Sequence, residues 1–202
     1  MLTVVTAASS RRLTTILNAR ADLAITSNEV NDRLIDQATS AIESYCRRIF
    51  AQQTYRETLY GRLEYLAVVL SRSPATSIVS VTVDDIALTS DGYQLDDGLL
   101  YRMAPSGRVP WAASAVVVEY KAGYILPKGT PAGAEIALPA AVEMACVNEI
   151  AAILSRRSRD PLVRSEREEG VGSTDFQIMS GDGPLSHPDS PGLLAPYRQI
   201  NL

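Results

Sequence analysis

One histidine and two cysteines are all the imidazole and thiol ligands this 202-residue chain possesses. A histidine-rich zinc or iron site is excluded by that count, and Cys46 and Cys146 lie too far apart in sequence to start a Cys-rich one. The same pair cannot form a disulfide framework; both sit in apolar helical patterns and read as small buried hydrophobes of a reduced compartment. There is no basic surplus: 19 Lys and Arg stand against 23 Asp and Glu, a net charge of -4. A protein whose main task is gripping nucleic acid would carry the opposite balance. No apolar run approaches the roughly 20 residues of a membrane helix. The first residues, MLTVVTAASSRRLTTIL, lack the basic-then-apolar order of a signal peptide, so synthesis in the cytoplasm is expected. No G-x-x-x-x-G-K-[ST] phosphate loop occurs, and the G-x-G of EGVGST (169–174) lacks the flanking strand and helix of a dinucleotide site. No cofactor is expected.

What is present is the balance of a folded domain, 46% hydrophobic and 21% charged. Apolar spacing predicts a helix from about Ser9 to Leu23 and a second one in TSNEVNDRLIDQATSAIESYCRRIF, with Thr26 and Glu29 at capping-box spacing. Val30, Leu34, Ala38, Ile42 and Cys46 follow at steps of four. The period then changes. EYLAVVL, SIVSVTV, GYQL, GLLYRM and AVVVEYKAGY read as short strands between turns at Asp84-Asp85, 90–92 and 96–98, a pattern of antiparallel hairpins. LPKGTPAGAE is a connector, and a third helix runs through LPAAVEMACVNEIAAILSRRSR, with Pro139 in its first turn and Asp160-Pro161 as its stop. Beyond it the pattern fades, except for one short strand at TDFQIM. The expected fold is α+β: a small bundle of long helices (1–52 and 131–160), a β-rich antiparallel insert (53–130) and an extended C-terminal loop and arm (161–202).

Few residues offer chemistry. His187 lies in a Pro-rich segment, a poor platform for a nucleophilic triad, and reads as a solvent-exposed loop histidine. Asp84-Asp85 and Asp96-Asp97 could serve a carboxylate-dependent hydrolase, but both fall where strands turn, which Asp favours for local hydrogen-bonding reasons. Trp111, Tyr120 and Tyr124 read as core before interface. Arg156, Arg157 and Arg159 at the end of the third helix suit the helix dipole, yet three so close exceed what the dipole needs and could meet phosphate or another subunit. Arg164, Glu166, Arg167, Glu168 and Glu169 are either a solvated surface or a charge-patterned contact between identical subunits. The last apolar cluster, GLLAPYR with Leu193, Leu194, Pro196, Tyr197 and Arg198, needs a surface to cover.

In order, DRLIDQATSAIESYCRRIF, RSPATSIVSVTVDD, VVVEYKAGY, LPAAVEMACVNEIAAILSRR and LLAPYR resemble the head–tail connector, or adaptor, proteins of tailed bacteriophages and phage-like particles, over most of residues 28 to 200. The resemblance implies a virion structural protein without catalysis. It implies a homo-oligomeric ring, commonly of twelve subunits, at the virion neck beneath the portal protein. DNA would pass through the lumen without sequence-specific binding, and the next neck or tail protein, a stopper or tail terminator, would attach below. It gives the C-terminal cluster a role as a docking arm on the portal or a neighbouring subunit; the other reading is that the tail folds back on its own helices. The rivals are another neck ring, such as a stopper or tail terminator, a small hydrolase using Asp84 or Asp96, and a DNA-binding module using the helix-end arginines.

Overall fold

The computed structural model describes residues 1–26, 28–157, 165–168, 172–175 and 185–199. The chain divides into two compact units interleaved in sequence: Met1–Ser10 with Phe50–Ala137, and Arg11–Ile49 with Leu138–Leu202. The expected bundle of long helices does not form. Among the described residues there are four helices, of 7, 15, 18 and 5 residues, against eleven strands, so the fold is mixed and strand-rich. Two features account for the difference. Strands take up 48 of the 70 residues 53–122, and most of the stretch expected to open the first helix is non-helical, which leaves that helix seven residues long.

The first unit contains β1 (Leu2–Thr6), β2 (Gln53–Leu63), β3 (Ala67–Val69), β4 (Ala75–Val83), β5 (Ile86–Ala87), β6 (Tyr93–Asp96), β7 (Leu99–Ala104), β8 (Gly107–Val109) and β9 (Ala113–Ala122). One antiparallel sheet has the order β1-β2-β9-β4-β5; a smaller one has β3-β7-β6, with β8 on β7. β9 shows the period of two that a half-buried strand requires: Val116, Val118, Tyr120 and Ala122 are buried between exposed or half-buried neighbours. They meet Val68 and Leu100 of the small sheet and Trp111 in one core. Trp111 and Tyr120 are core residues, as expected. Inside it lies a buried carboxylate, Glu57. It accepts the Tyr120 hydroxyl at 2.8 Å, the Ser71 N–H at 3.0 Å and the Ser71 hydroxyl. Burial, then the adjacent Glu57 charge, pushes the Tyr120 phenol far above its ordinary pKa, so it stays a hydrogen-bond donor.

Both acidic pairs fall at turns. Asp84-Asp85 (φ 45° and 66°) and Asp97-Gly98 (φ 46° and 74°) are two-residue loops with both φ positive, the hairpin geometry whose twist matches the strands. The Asp84 carboxylate also accepts the N–H groups of Ser114 at 3.0 Å and Ala115 at 2.8 Å, fastening the hairpin to β9. Gly123 is required where it stands: at φ 112° a Cβ would lie 2.7 Å from the Ala51 carbonyl oxygen.

The second unit contains α1 (Ile16–Asp22), α2 (Asp32–Cys46), α3 (Ala140–Arg157), the hairpin β10 (Ser165–Glu168) with β11 (Gly172–Asp175), and α4 (Ser190–Leu194). α2 buries Leu34, Ile35, Ala38, Thr39, Ile42 and Cys46. Its cap is not the expected Thr26 but Asn31, whose side chain accepts the Leu34 N–H at 3.2 Å. α3 starts after Pro139 and buries Val142, Ala145, Cys146 and Ile150 against that stripe. Both cysteines are buried and unbridged; burial pushes Cys46 up to about 11 and Cys146 up to about 12, so neither is a thiolate at neutral pH. The stop expected at Asp160-Pro161 and most of TDFQIM lie outside the described residues.

α1 begins at Ile16, capped by Thr15, not at Ser9. The preceding residues are pulled across α2. Arg11 pairs with the buried Glu43, Arg12 pairs with Asp36 and Asp32 at 2.7 Å each, and Leu13 is fully buried. Arg12 holds the Asp36 carboxyl below its ordinary 3.8. A folded-state pKa depressed in this way adds stability above the unfolded value, and that stability is lost as pH falls through the folded one. Because Asp36 is 55% exposed, the contribution is modest. Asp36→Asn is expected to cost less than about 1 kcal/mol at neutral pH, and the deficit should shrink in urea melts repeated at falling pH, as the wild-type carboxylate takes up its proton.

Candidate functional site

The second unit holds the residues the sequence singles out for assembly. α3 carries a charged residue among apolar ones: Glu149, 1% exposed, beside Val147 and Ile150. Its carboxylate accepts the backbone N–H of Ser186 at 2.6 Å and of His187 at 3.0 Å. Charge-assisted bonds to two N–H groups satisfy a buried anion that would otherwise be costly. They also pin the start of the C-terminal segment to α3. From there α4 lays Leu194, fully buried, into the same unit. At the far end Gln199 donates its N–H to the Cys46 carbonyl at 2.8 Å, and the Arg198 guanidinium lies 5.2 Å from the Tyr45 ring centre.

The C-terminal residues therefore lie on their own helices in the single chain. Leu194 is part of that packing, Leu193 and Tyr197 are half-buried, and Pro196 and Arg198 are exposed. His187 is half-buried rather than solvent-exposed, because Glu149 draws its backbone onto α3. Its Nδ1 accepts the Asp189 N–H at 3.2 Å and lies 4.0 Å from the Asp189 carboxylate.

Arg156 and Arg157 are exposed at the end of α3. They close one end of an open groove of about 700 Å³ floored by Ala41 and Ile153, with Gln37, Ser40 and Ser44 along the α2 side. Neither arginine has an ion-pair partner among the described residues, and both side chains stand exposed at the end of the groove. Arg159, Arg164 and Glu169 lie outside the described residues. Glu166, Arg167 and Glu168 fall on β10, opposite Thr174, Ser173 and Gly172 of β11. The residue that sequence reasoning missed is Glu149. Its signal was there: an acidic residue at a position where the helical period demands an apolar one.

No arrangement for catalysis assembles from the carboxylates considered for a hydrolase. Asp84 is occupied by two backbone N–H groups, and Asp96 pairs with Arg108 at 2.5 Å. Among the described residues no group of three His, Cys, Asp or Glu side chains could hold a metal ion, and no helix is long and apolar enough to cross a membrane.

The molecule is thus a β-sandwich unit inserted in a helical unit whose C-terminal segment is anchored on a buried carboxylate. No family model and no curated protein matches the chain. Solved structures share its fold. A chain in the neck of a native GTA particle, computed with C12 symmetry, matches with a TM-score of 0.56 at 15% identity, covering 100% of this chain and 97% of that one. A chain in the neck of an empty GTA particle, computed with C6 symmetry, matches with a TM-score of 0.56 at 17% identity over the same shares. A chain in the virion of a native gene transfer agent particle gives 0.55 at 16%. At these identities the likeness is one of fold.

Proposed function

We propose that this chain is a structural subunit of a neck ring in a phage-like particle, and that its place is the head–tail adaptor beneath the portal. One observation carries the reading: the fold likeness runs over 100% of the chain, and the neighbours it reaches are neck chains in an assembly computed with C12 symmetry. The order of sequence motifs that resembles adaptors supports it independently. A net charge of -4 suits a ring through which DNA passes without being held. No enzymatic step is part of this reading. Within it, Arg156 and Arg157 contact an acidic surface of the portal or of the next subunit. Pro196 and Arg198, with the exposed edges of Leu193 and Tyr197, form the outer face of the arm, while Leu194 holds the arm in place. A second reading, another ring of the same neck such as a stopper or tail terminator, gains weight from the strand-rich first unit.

The test is the mass of a mixture with portal rings from the same genome. A stoichiometric complex is expected, with a ring of subunits on each portal. The double variant Arg156→Glu, Arg157→Glu should bind at least tenfold more weakly with an unchanged melting temperature, since both side chains are exposed. A chain that ignores the portal and runs as a monomer at all concentrations would sink the adaptor reading. Binding only to a preformed portal–adaptor complex would favour the stopper.

A further inference from the structure

The five-stranded sheet has two incompletely used edges. β1 is an outer strand. The Thr58 N–H donates to the Met1 carbonyl at 2.7 Å, so in this register the next hydrogen-bonded pair is Thr3 with Arg56. The N–H and C=O groups of Leu2 and Val4 therefore point away from β2. Val4 is 50% and Val5 47% exposed, and LTVVT contains neither a charge nor a proline. Natural edges are normally blunted by such residues, because bare edges recruit strands. On the opposite side, β5 pairs only with Thr82 and Val83 of β4, and the Leu88 N–H takes the Val81 carbonyl. Residues 75–80 of β4 have no partner strand on that side among the described residues. This stretch, ATSIVS, is also uncharged and is one residue longer than β1.

Strand direction makes the two edges compatible. β1, β2, β9 and β4 alternate through three antiparallel pairings, so β4 runs opposite to β1. A second copy rotated beside the first about a common ring axis, without inversion, brings its β1 antiparallel to this β4. Such a contact joins two different surfaces, the kind that repeats head to tail and closes into a ring. The register shifts of β4 at Ala75/Ser77 and Ile78/Ser80 bend the strand, as a curved sheet needs.

We infer that β1 of one copy adds to residues 75–80 of β4 in the next copy, joining the sheets of neighbouring subunits around the ring. This rests on the neck-ring reading above. The first variant is Val4→Pro. It deletes an outward N–H while leaving the bonds of Thr3 to β2, and proline is tolerated on an edge that faces away from its sheet. Ring assembly on portals should fall at least tenfold, with the melting temperature of the free chain unchanged. The second test joins exposed positions on the two edges, Thr3→Cys and Val79→Cys, as separate single variants mixed with a short bis-maleimide under assembly conditions; Cys46 and Cys146 are buried. A cross-linked pair in the mixture, and in neither variant alone, is the expected result, and it decides the matter if Val4→Pro folds poorly. Pairing of Thr3→Cys with itself would mean a two-fold β1–β1 contact and overturn the proposal. Rings that form normally with Val4→Pro and give no cross-link would overturn it while leaving the neck-ring reading intact. Failure of the wild-type chain to form a ring on portals would overturn both.

Discussion

Replacing Glu149 with alanine is expected to cost about 3 kcal/mol and to release the C-terminal segment before anything else unfolds. Two backbone N–H groups, of Ser186 and His187, end on this carboxylate, and the side chain is 1% exposed. Truncation leaves both donors without a partner in a site closed to water, at about 1–3 kcal/mol each. Removing a buried charge offsets part of that. Glu149→Gln keeps one acceptor oxygen and should cost roughly half as much. The readout is amide exchange. In Glu149→Ala the amides of residues 186–199, including the Gln199 N–H that meets Cys46, should lose protection, while those of α2 around Ala38 and Ile42 keep theirs. Equal loss along α2 would mean that the segment is an indispensable part of the helical core. Unchanged protection would mean that Leu194 alone holds the arm. The same variant probes function. If the anchored segment presents Pro196 and Arg198 to the portal, release should weaken portal binding even though neither residue has changed.

The sequence shows the long elements because their burial repeats. α2 and α3 announce themselves through Leu34, Ala38, Ile42 and Cys46, and through Val142, Cys146 and Ile150, one helical turn apart. The strand-rich insert and both acidic turns were legible for similar reasons. The misread parts are those where distant partners override local preference. Arg11 and Arg12 sit in a helix-like stretch, but Glu43, Asp32 and Asp36 on α2 pair with them and the backbone there is not helical, so α1 is short. β2 buries Gln53, Tyr55 and Glu57 on one face; a strand that turns polar side chains inward breaks the alternation by which strands are found. β1 joins β2 across more than fifty residues of sequence, and nothing in LTVVT points to that partner. Of the candidate site, composition points to the C-terminal apolar cluster and the helix-end arginines, and not to Glu149. GLLAPYR reads as an apolar cluster in need of a surface, but whether its own helices supply one depends on Glu149, an acid at a position where the helical period of α3 calls for an apolar residue.

Trp111→Ala is expected to have the larger effect, and to be felt beyond the core it empties. The indole is fully buried between the two sheets; its N–H meets the Leu100 carbonyl at 3.2 Å, and its backbone carbonyl accepts Arg102 at 2.6 Å. Truncating a buried tryptophan costs about 3–5 kcal/mol, which for a chain of this size lowers the melting temperature by about 10 °C. Trp111→Phe keeps most of the volume but orphans the Leu100 carbonyl, and should cost about 1–2 kcal/mol. The consequence for the helices follows from connectivity. The second unit is made of two segments joined through the first, whose sheet holds its own chain ends together at the Ala51–Tyr124 and Ile125–Ala137 bridges. Once those strands unfold, the helical segments are linked only by a loop of about 90 residues, and closing it costs about 4 kcal/mol. Loss of the sandwich core therefore removes a clamp from a helical unit that contains none of the mutated contacts. Circular dichroism at 222 nm, dominated by α2 and α3, should melt earlier in Trp111→Ala, in step with the tyrosine signal of the sandwich. A helical melt that stays at the wild-type temperature would mean that α1–α4 fold without the clamp. The neck-ring reading would then have to treat the chain as two modules joined by its crossing points, with ring contacts through β1 and β4 separable from portal contacts through α3 and the arm.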